Sequence, residues 1–164
     1  MDMNELMQSY PQVGSVQWMG IRPGYREPVL VVSETLANEE NGLEGDHYRA
    51  KSKNRQVTVM QWEHTQAIAD ILGQDHLDPR LMRRNIQVSG INVLSLIHCH
   101  FQIGEVILEG IGPCHPCSRM EENLGPGGYQ AMRGHGRITC QVIKGGKIRL
   151  GDTVSWLSRS DKVS

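Results

Sequence analysis

Apolar runs in this chain are short, and glycine or proline falls between most of them, which limits the fold to many short strands joined by turns. Eighteen glycines against 5% aromatic residues favour turns and bulges over long helices. The segments 13–19, 28–33, 56–60, 86–89, 138–143 and 153–157 are β-branched or alternating and read as strands. Segments 101–103 and 106–109 form a hairpin about Gly104, and Gly145-Gly146 signals a second hairpin into 147–150. The polar stretch 34–53 reads as a loop with at most one short strand. One clear helix covers 62–72, with Ile68, Ile71 and Leu72 at helical spacing and Gly73 as its stop. Asp78-Pro79 starts a helical turn over 78–83. The sum is about eight strands with one or two helical insertions: a mostly β, closed or half-closed barrel of the α+β kind.

A length of 164 residues suits one domain that buries a core without disulfides, with the core over about 13–157 and a flexible polar tail over 158–164. The balance of 17 Lys and Arg against 18 Asp and Glu argues against a nucleic-acid partner. No apolar run reaches membrane-helix length, and the first ten residues do not resemble a secretory signal. The expected location is therefore cytoplasmic, with Cys99, Cys114, Cys117 and Cys140 reduced.

The segment richest in chemistry is 112–132, GPCHPCSRMEENLGPGGYQAM. Ser118 and Glu121 have the spacing of a capping box, so a helix is expected over 119–124, ended by Gly125-Pro126. Cys117 then stands just before a helix start and beside Arg119, where the helix dipole and the guanidinium both favour the thiolate. A thiolate is what a soft metal or a sulfur-transfer step requires. Pro113 and Pro116 stiffen the approach. Cys114 to Cys117 is also a C-x-x-C pair, which leaves open half of a zinc site or a thioredoxin-like dithiol. No second Cys or His pair at zinc spacing completes the former, and no βαβ pattern surrounds the pair for the latter. Cys99 and Cys140 sit in strand-like sequence and read as core.

Several ordered segments resemble the MOSC domain, named for the C-terminal part of molybdenum cofactor sulfurase. They are Gly45-Asp46-His47, Arg83-Arg84-Asn85-Ile86, Gly104-Glu105 leading into Val106-Ile107-Leu108, Pro116-Cys117-Ser118-Arg119-Met120, and Gly151-Asp152-Thr153-Val154. The chain is similar to the stand-alone bacterial type. It has no aminotransferase-like part, so no pyridoxal phosphate site is expected. The resemblance implies a β-barrel that binds the molybdenum cofactor, with Cys117 as metal ligand or sulfur acceptor. In some members the outcome is reduction of N-hydroxylated compounds. Arg84 and Asn85 match the family's Arg-Asn segment near the pocket, and His47 the histidine after Gly-Asp. Cys114 is a departure, and it could resolve a persulfide on Cys117.

Anionic groups call for arginine's planar donors. Beside the motifs, Arg84, Arg119 and Arg137 are the expected cofactor-binding cations, and Arg49, Arg83 and Arg133 are further candidates. Lys51, Lys53 and Arg55 read as a solvated run. Gly134-His135-Gly136 is either a plain turn or a loop that closes over the pocket, with His135 moving a proton. His64 reads as surface, and His98 and His100 as structural. Expected partners are a small-molecule substrate and a separate reductase, because no flavin, haem or iron–sulfur motif is present. The alternative is a sulfur carrier or cofactor-delivery protein that uses a Cys117 persulfide supplied by a donor protein.

Overall fold

A computed structural model of the chain describes residues 1–48 and 52–160. Eleven strands occur among them: β1 (Gly14–Ile21), β2 (Leu30–Val31), β3 (Glu34–Asn38), β4 (Gly42–Leu43), β5 (Val57–Gln61), β6 (Ile86–Ser89), β7 (Cys99–Ile103), β8 (Val106–Pro113), β9 (Arg137–Lys144), β10 (Gly146–Arg149) and β11 (Thr153–Arg159). The α-helices are α1 (Met3–Met7), α2 (Trp62–Ile71), α3 (Ser118–Leu124) and α4 (Gly128–Met132).

Seven strands close a barrel in the order β11-β7-β8-β9-β5-β6-β1, and β1 pairs back to β11 through Gly14 and Val154. Closure removes the unpaired edges of an open sheet. All barrel pairings are antiparallel except β5–β6, which are parallel and joined through α2. The barrel interior is filled by Val16, Met19, Val57, Val59, Ile86, Val88, Phe101, Ile103, Leu108, Ile138, Cys140 and Val154. Cys99 is also buried, so both strand cysteines are core residues as expected. Burial pushes the Cys140 thiol far above its ordinary range. Strand β5 is buried on both faces. On its outer side Met60 meets Ile68, Ala69, Met82, Met120, Leu124, Ala131 and Met132 in a second apolar cluster. This cluster seats α2, α3 and α4 against the barrel wall, and so fixes the segment that carries Cys117.

Several sequence expectations need correction. The 34–53 stretch holds two strands, β3 and β4, which join β10 in a separate three-stranded sheet. Gly145-Gly146 does not close a hairpin. Strand β9 pairs with β5 over Arg137–Cys140 and with β8 as far as Lys144, and beyond it β10 pairs with β3. Residues 158–160 are not part of a flexible tail: β11 runs through Arg159, and the buried Ser160 hydroxyl donates to Glu109 Oε1 at 2.7 Å, while the rest of the expected tail lies outside the described residues. Helices α1 and α4 exceed the one or two expected. The Asp78 turn forms as a 3-10 turn over Pro79–Met82, its carboxylate accepting the Arg80 N–H at 3.0 Å. No helix among the described residues is long and apolar enough to cross a membrane.

Candidate functional site

Strands β1, β4 and β6 end near one another at one side of the barrel, and a buried carboxylate ties them together. Asp46, just past β4, has a side chain with no solvent exposure. Its Oδ1 accepts from the Arg22 N–H at 2.7 Å, from Arg22 Nε at 3.2 Å and from Asn85 Nδ2 at 3.0 Å. Its Oδ2 accepts from Arg22 Nη2 at 3.1 Å. A bidentate pair of this kind holds the arginine in one orientation. Asn85 is fully buried and spends its amide inside the fold. Its Oδ1 accepts from the Thr58 N–H and hydroxyl at 3.0 and 3.2 Å, and its Nδ2 also donates to the Gly20 carbonyl at 3.2 Å. Of the Arg84-Asn85 pair, only Arg84 lines a cleft. Neither Arg22 nor the ligating role of Asp46 was evident from the sequence, where Asp46 appeared only as the neighbour of His47.

Above this clasp lies a cleft of about 410 Å³, lined by Arg22, Tyr25, His47, Arg55, Thr58, Arg83, Arg84, Cys114 and Arg119 among others. A smaller recess of about 280 Å³ shares Arg22, Tyr25, Arg83, Arg84 and Arg119 with it and adds Cys117. The recess carries one carboxylate, Glu122, which pairs with Arg26 at 3.8 Å. His47 is exposed at the cleft, and its N–H is fixed to the Arg22 carbonyl at 2.7 Å. Arg55 is exposed, as its reading in a solvated run implies, and it also lines the cleft. Lys53 does pair on the surface, with Glu40 at 3.2 Å. Arg49 and Lys51 lie outside the described residues. Tyr25, which no sequence signal marked, has the Arg119 guanidinium 5.0 Å from its ring centroid and Arg26 at 5.6 Å. A hydrogen bond from Arg26 and the charges of Arg26 and Arg119 lower the affinity of its hydroxyl for the proton.

Arg84 is only 8% exposed, and its Nε has no partner among the described residues. No carboxylate among the described residues pairs with it. Burial first, then repulsion from Arg22 and Arg55, pushes its guanidinium below the ordinary arginine range, while Cys114 and Cys117 pull the other way. Arg137 is 3% exposed and similar: burial, then repulsion from Arg84, pushes it down to about 10, again opposed by Cys114 and Cys117. Arg137 stays charged near neutral pH. Buried guanidinium groups with no carboxylate partner among the described residues favour an anion in their vicinity.

Cys117 is the N-cap residue of α3, exposed, with no side-chain bond to the helix. The helix starts at Ser118, one residue before the expected start, and ends at Gly125 as expected. The capping box does not form. Glu121 reaches forward instead, accepting the N–H groups of Gly127 and Tyr129 at 2.9 Å each, because the Gly125-Pro126-Gly127 turn brings the free donors of α4 within reach. Those bonds hold the Glu121 carboxyl below its usual range.

His135 and Arg137 line a different cleft, which they share with Cys114 but not with Cys117. The His135 loop is fastened rather than free. His64 is half-buried, not surface, and its Nδ1 accepts the Gly136 N–H at 2.8 Å while its ring meets that of His135 edge-on at 5.0 Å. Burial, then the neighbouring His135, pushes His64 below its ordinary pKa. No three His, Cys, Asp or Glu side chains converge among the described residues, so the C-x-x-C finds no zinc-type partners there.

Three comparisons bear on this arrangement. The family model of the MOSC domain matches residues 46–155. A search of curated proteins gave no match. Among solved structures, YuaD from Bacillus subtilis superposes with a TM-score of 0.75 at 18% identity, covering 89% of this chain and 96% of that one. YiiM from Geobacillus stearothermophilus gives 0.73 at 14%, covering 91% and 77%. YiiM from Escherichia coli gives 0.68 at 20%, covering 92% and 73%. At these identities the likeness is one of fold.

Proposed function

The chain belongs to the MOSC domain family, and from that premise we propose that it binds the molybdenum cofactor through Cys117 and reduces N-hydroxylated small molecules with electrons from a separate reductase. The observation that carries this reading is the buried guanidinium of Arg84, whose Nε has no partner among the described residues and which lines both the main cleft and the recess that holds Cys117. The cofactor brings an anionic phosphate and a soft metal; the chain offers arginines for the first and an exposed sulfur for the second.

The residues fit such a group. Cys117 would ligate the metal, and Arg84 and Arg119 would hold anionic groups of the cofactor. Arg22, clamped by Asp46, keeps the cleft wall in place. When bound, the cofactor supplies a two-electron centre. The overall change takes two electrons and two protons, cleaves the N–O bond, and releases an amine and water. His47 is exposed at the same cleft as Arg84 and Arg119, and we assign proton delivery to it. His135 opens on the neighbouring cleft, which makes it the weaker candidate.

The experiment is an activity assay of cofactor-loaded protein, purified anaerobically, with reduced methyl viologen as electron donor and a hydroxylamino purine as substrate. Conversion to the amino purine, abolished by Cys117→Ser, supports the reading. Retained cofactor without turnover favours a second reading, a sulfur carrier. Its specific support is Cys114, a second thiol that lines the cleft beside Arg84 and Arg119. In that reading a donor protein places sulfane sulfur on Cys117. Attack by Cys114 on the Cys117 Sγ then releases hydrosulfide and leaves a Cys114–Cys117 disulfide.

A further inference from the structure

The second cleft, of about 470 Å³, meets the first at Cys114, which lines both. Among the described residues, its charged and titratable lining, apart from that thiol and Tyr129, is basic: His115, Arg133, His135 and Arg137. The remaining wall is apolar or flat, with Leu94, Pro113, Pro116 and the Tyr129 ring.

Arg137 is the anchor of this cleft. Its Nε donates to the His135 carbonyl and its Nη2 to the Met132 carbonyl, both at 3.1 Å, so the guanidinium is held rigid. Its Nη1 and the Nδ1 of His135 are buried without a partner among the described residues. An arginine kept only for the fold is ordinarily balanced, as Arg22 is by Asp46 on the same barrel. Arg137 has no such carboxylate among the described residues. Arg133 and His115 are exposed on the same lining, free to close on a ligand. Among the described residues, Arg133 makes one side-chain bond, with Gln130 at 2.9 Å on the surface.

We propose that this second cleft docks the anionic end of the substrate, a phosphate tethered to a flat ring through a sugar, so that the substrate class is phosphorylated rather than neutral. The phosphate neutralises Arg137 and is gripped by Arg133 and His115. The ring lies along Pro113, Pro116 and Tyr129, which directs the rest of the molecule towards the Cys114 side where the clefts meet. This rests on the reading of the first cleft as the cofactor's. It also assigns Arg137 to the substrate instead of the cofactor.

Calorimetric titration tests it, with adenosine 5′-monophosphate, adenosine and inorganic phosphate as probes, on cofactor-free and cofactor-loaded protein. The monophosphate should bind both forms, and adenosine at least about tenfold more weakly, the scale of one charge-assisted hydrogen bond. Arg133→Glu and His115→Gln, both exposed and outside the core, should each weaken the monophosphate by about tenfold, while Arg80→Ala, in a separate recess that does not line this cleft, leaves it unchanged. Equal binding of monophosphate and adenosine, or binding of neither, overturns the proposal. Binding to cofactor-free protein alone also overturns it, since the cleft would then belong to the cofactor's own phosphate. If the protein holds no molybdenum yet still prefers the monophosphate, the anion site stands and the cofactor reading falls.

Discussion

Truncating Asn85 separates a structural amide from a ligand-binding one. Its side chain makes four hydrogen bonds: two with Thr58, one with the Gly20 carbonyl and one with Asp46. Asn85→Ala removes all four from a site with no solvent exposure and leaves a small void. At about 1 kcal/mol net for each bond, the loss is about 4 kcal/mol, since the stranded backbone groups find no water. For a chain of this size that lowers Tm by roughly 10 °C. Asn85→Asp should do no better, because it sets a second carboxylate against Asp46. Urea and thermal unfolding of cofactor-free protein measure both. Adding Asp46→Ala should reveal a coupling of about 1 kcal/mol or more, because the two residues share a bond. If Asn85→Ala unfolds within about 1 kcal/mol of the parent and loses only cofactor retention, the amide serves the ligand and the clasp argument is wrong; that margin is the ordinary scatter of single substitutions.

Three further predictions follow from the geometry. Glu121→Gln should lower Tm at neutral pH, and the gap from the parent should close in acid. The folded-state pKa is depressed, so its contribution is present above the ordinary glutamate pKa and is lost as pH falls through the lowered value; a gap independent of pH would refute the forward cap. Gly110→Ala should destabilise by about 2 kcal/mol or more, because the added Cβ would press on the Leu96 carbonyl oxygen across the β8 contact, and chemical denaturation reads this directly. Alkylation by iodoacetamide followed by mass spectrometry should mark Cys117 in the folded protein and reach Cys99 and Cys140 only on unfolding; early labelling of Cys140 would contradict its place in the core.

The sequence was most legible where burial is continuous. The barrel strands β5, β6, β7, β8, β9 and β11 come from β-branched runs that are buried or alternate, and α2 from a regular apolar spacing. Strand β3 was obscured because only Thr35 and Ala37, small and weakly apolar, turn inward from its polar run. Helix α1 buries nothing and so shows no apolar spacing; its local signal is the Asp2–Glu5 capping box. At the candidate site, the cations beside motifs were legible, and Arg84, Arg119 and His47 do share a cleft. Arg22 and Tyr25 were not, since their roles depend on Asp46 and Arg119, far away in the chain. Glu121 was misread for the same reason: a local capping pattern lost to donors of the next helix. Asn85 and Arg137 illustrate the converse, where a motif position points to a neighbourhood without saying which way the side chain faces.

The central claim is that Cys117 holds molybdenum. Elemental analysis by plasma mass spectrometry, on protein purified anaerobically from a cofactor-producing host, tests it most directly beside Cys117→Ser. The account predicts about one molybdenum per chain in the parent and none in the variant, as single-thiolate ligation requires. Zinc in place of molybdenum, or molybdenum that survives the loss of Cys117, would contradict it.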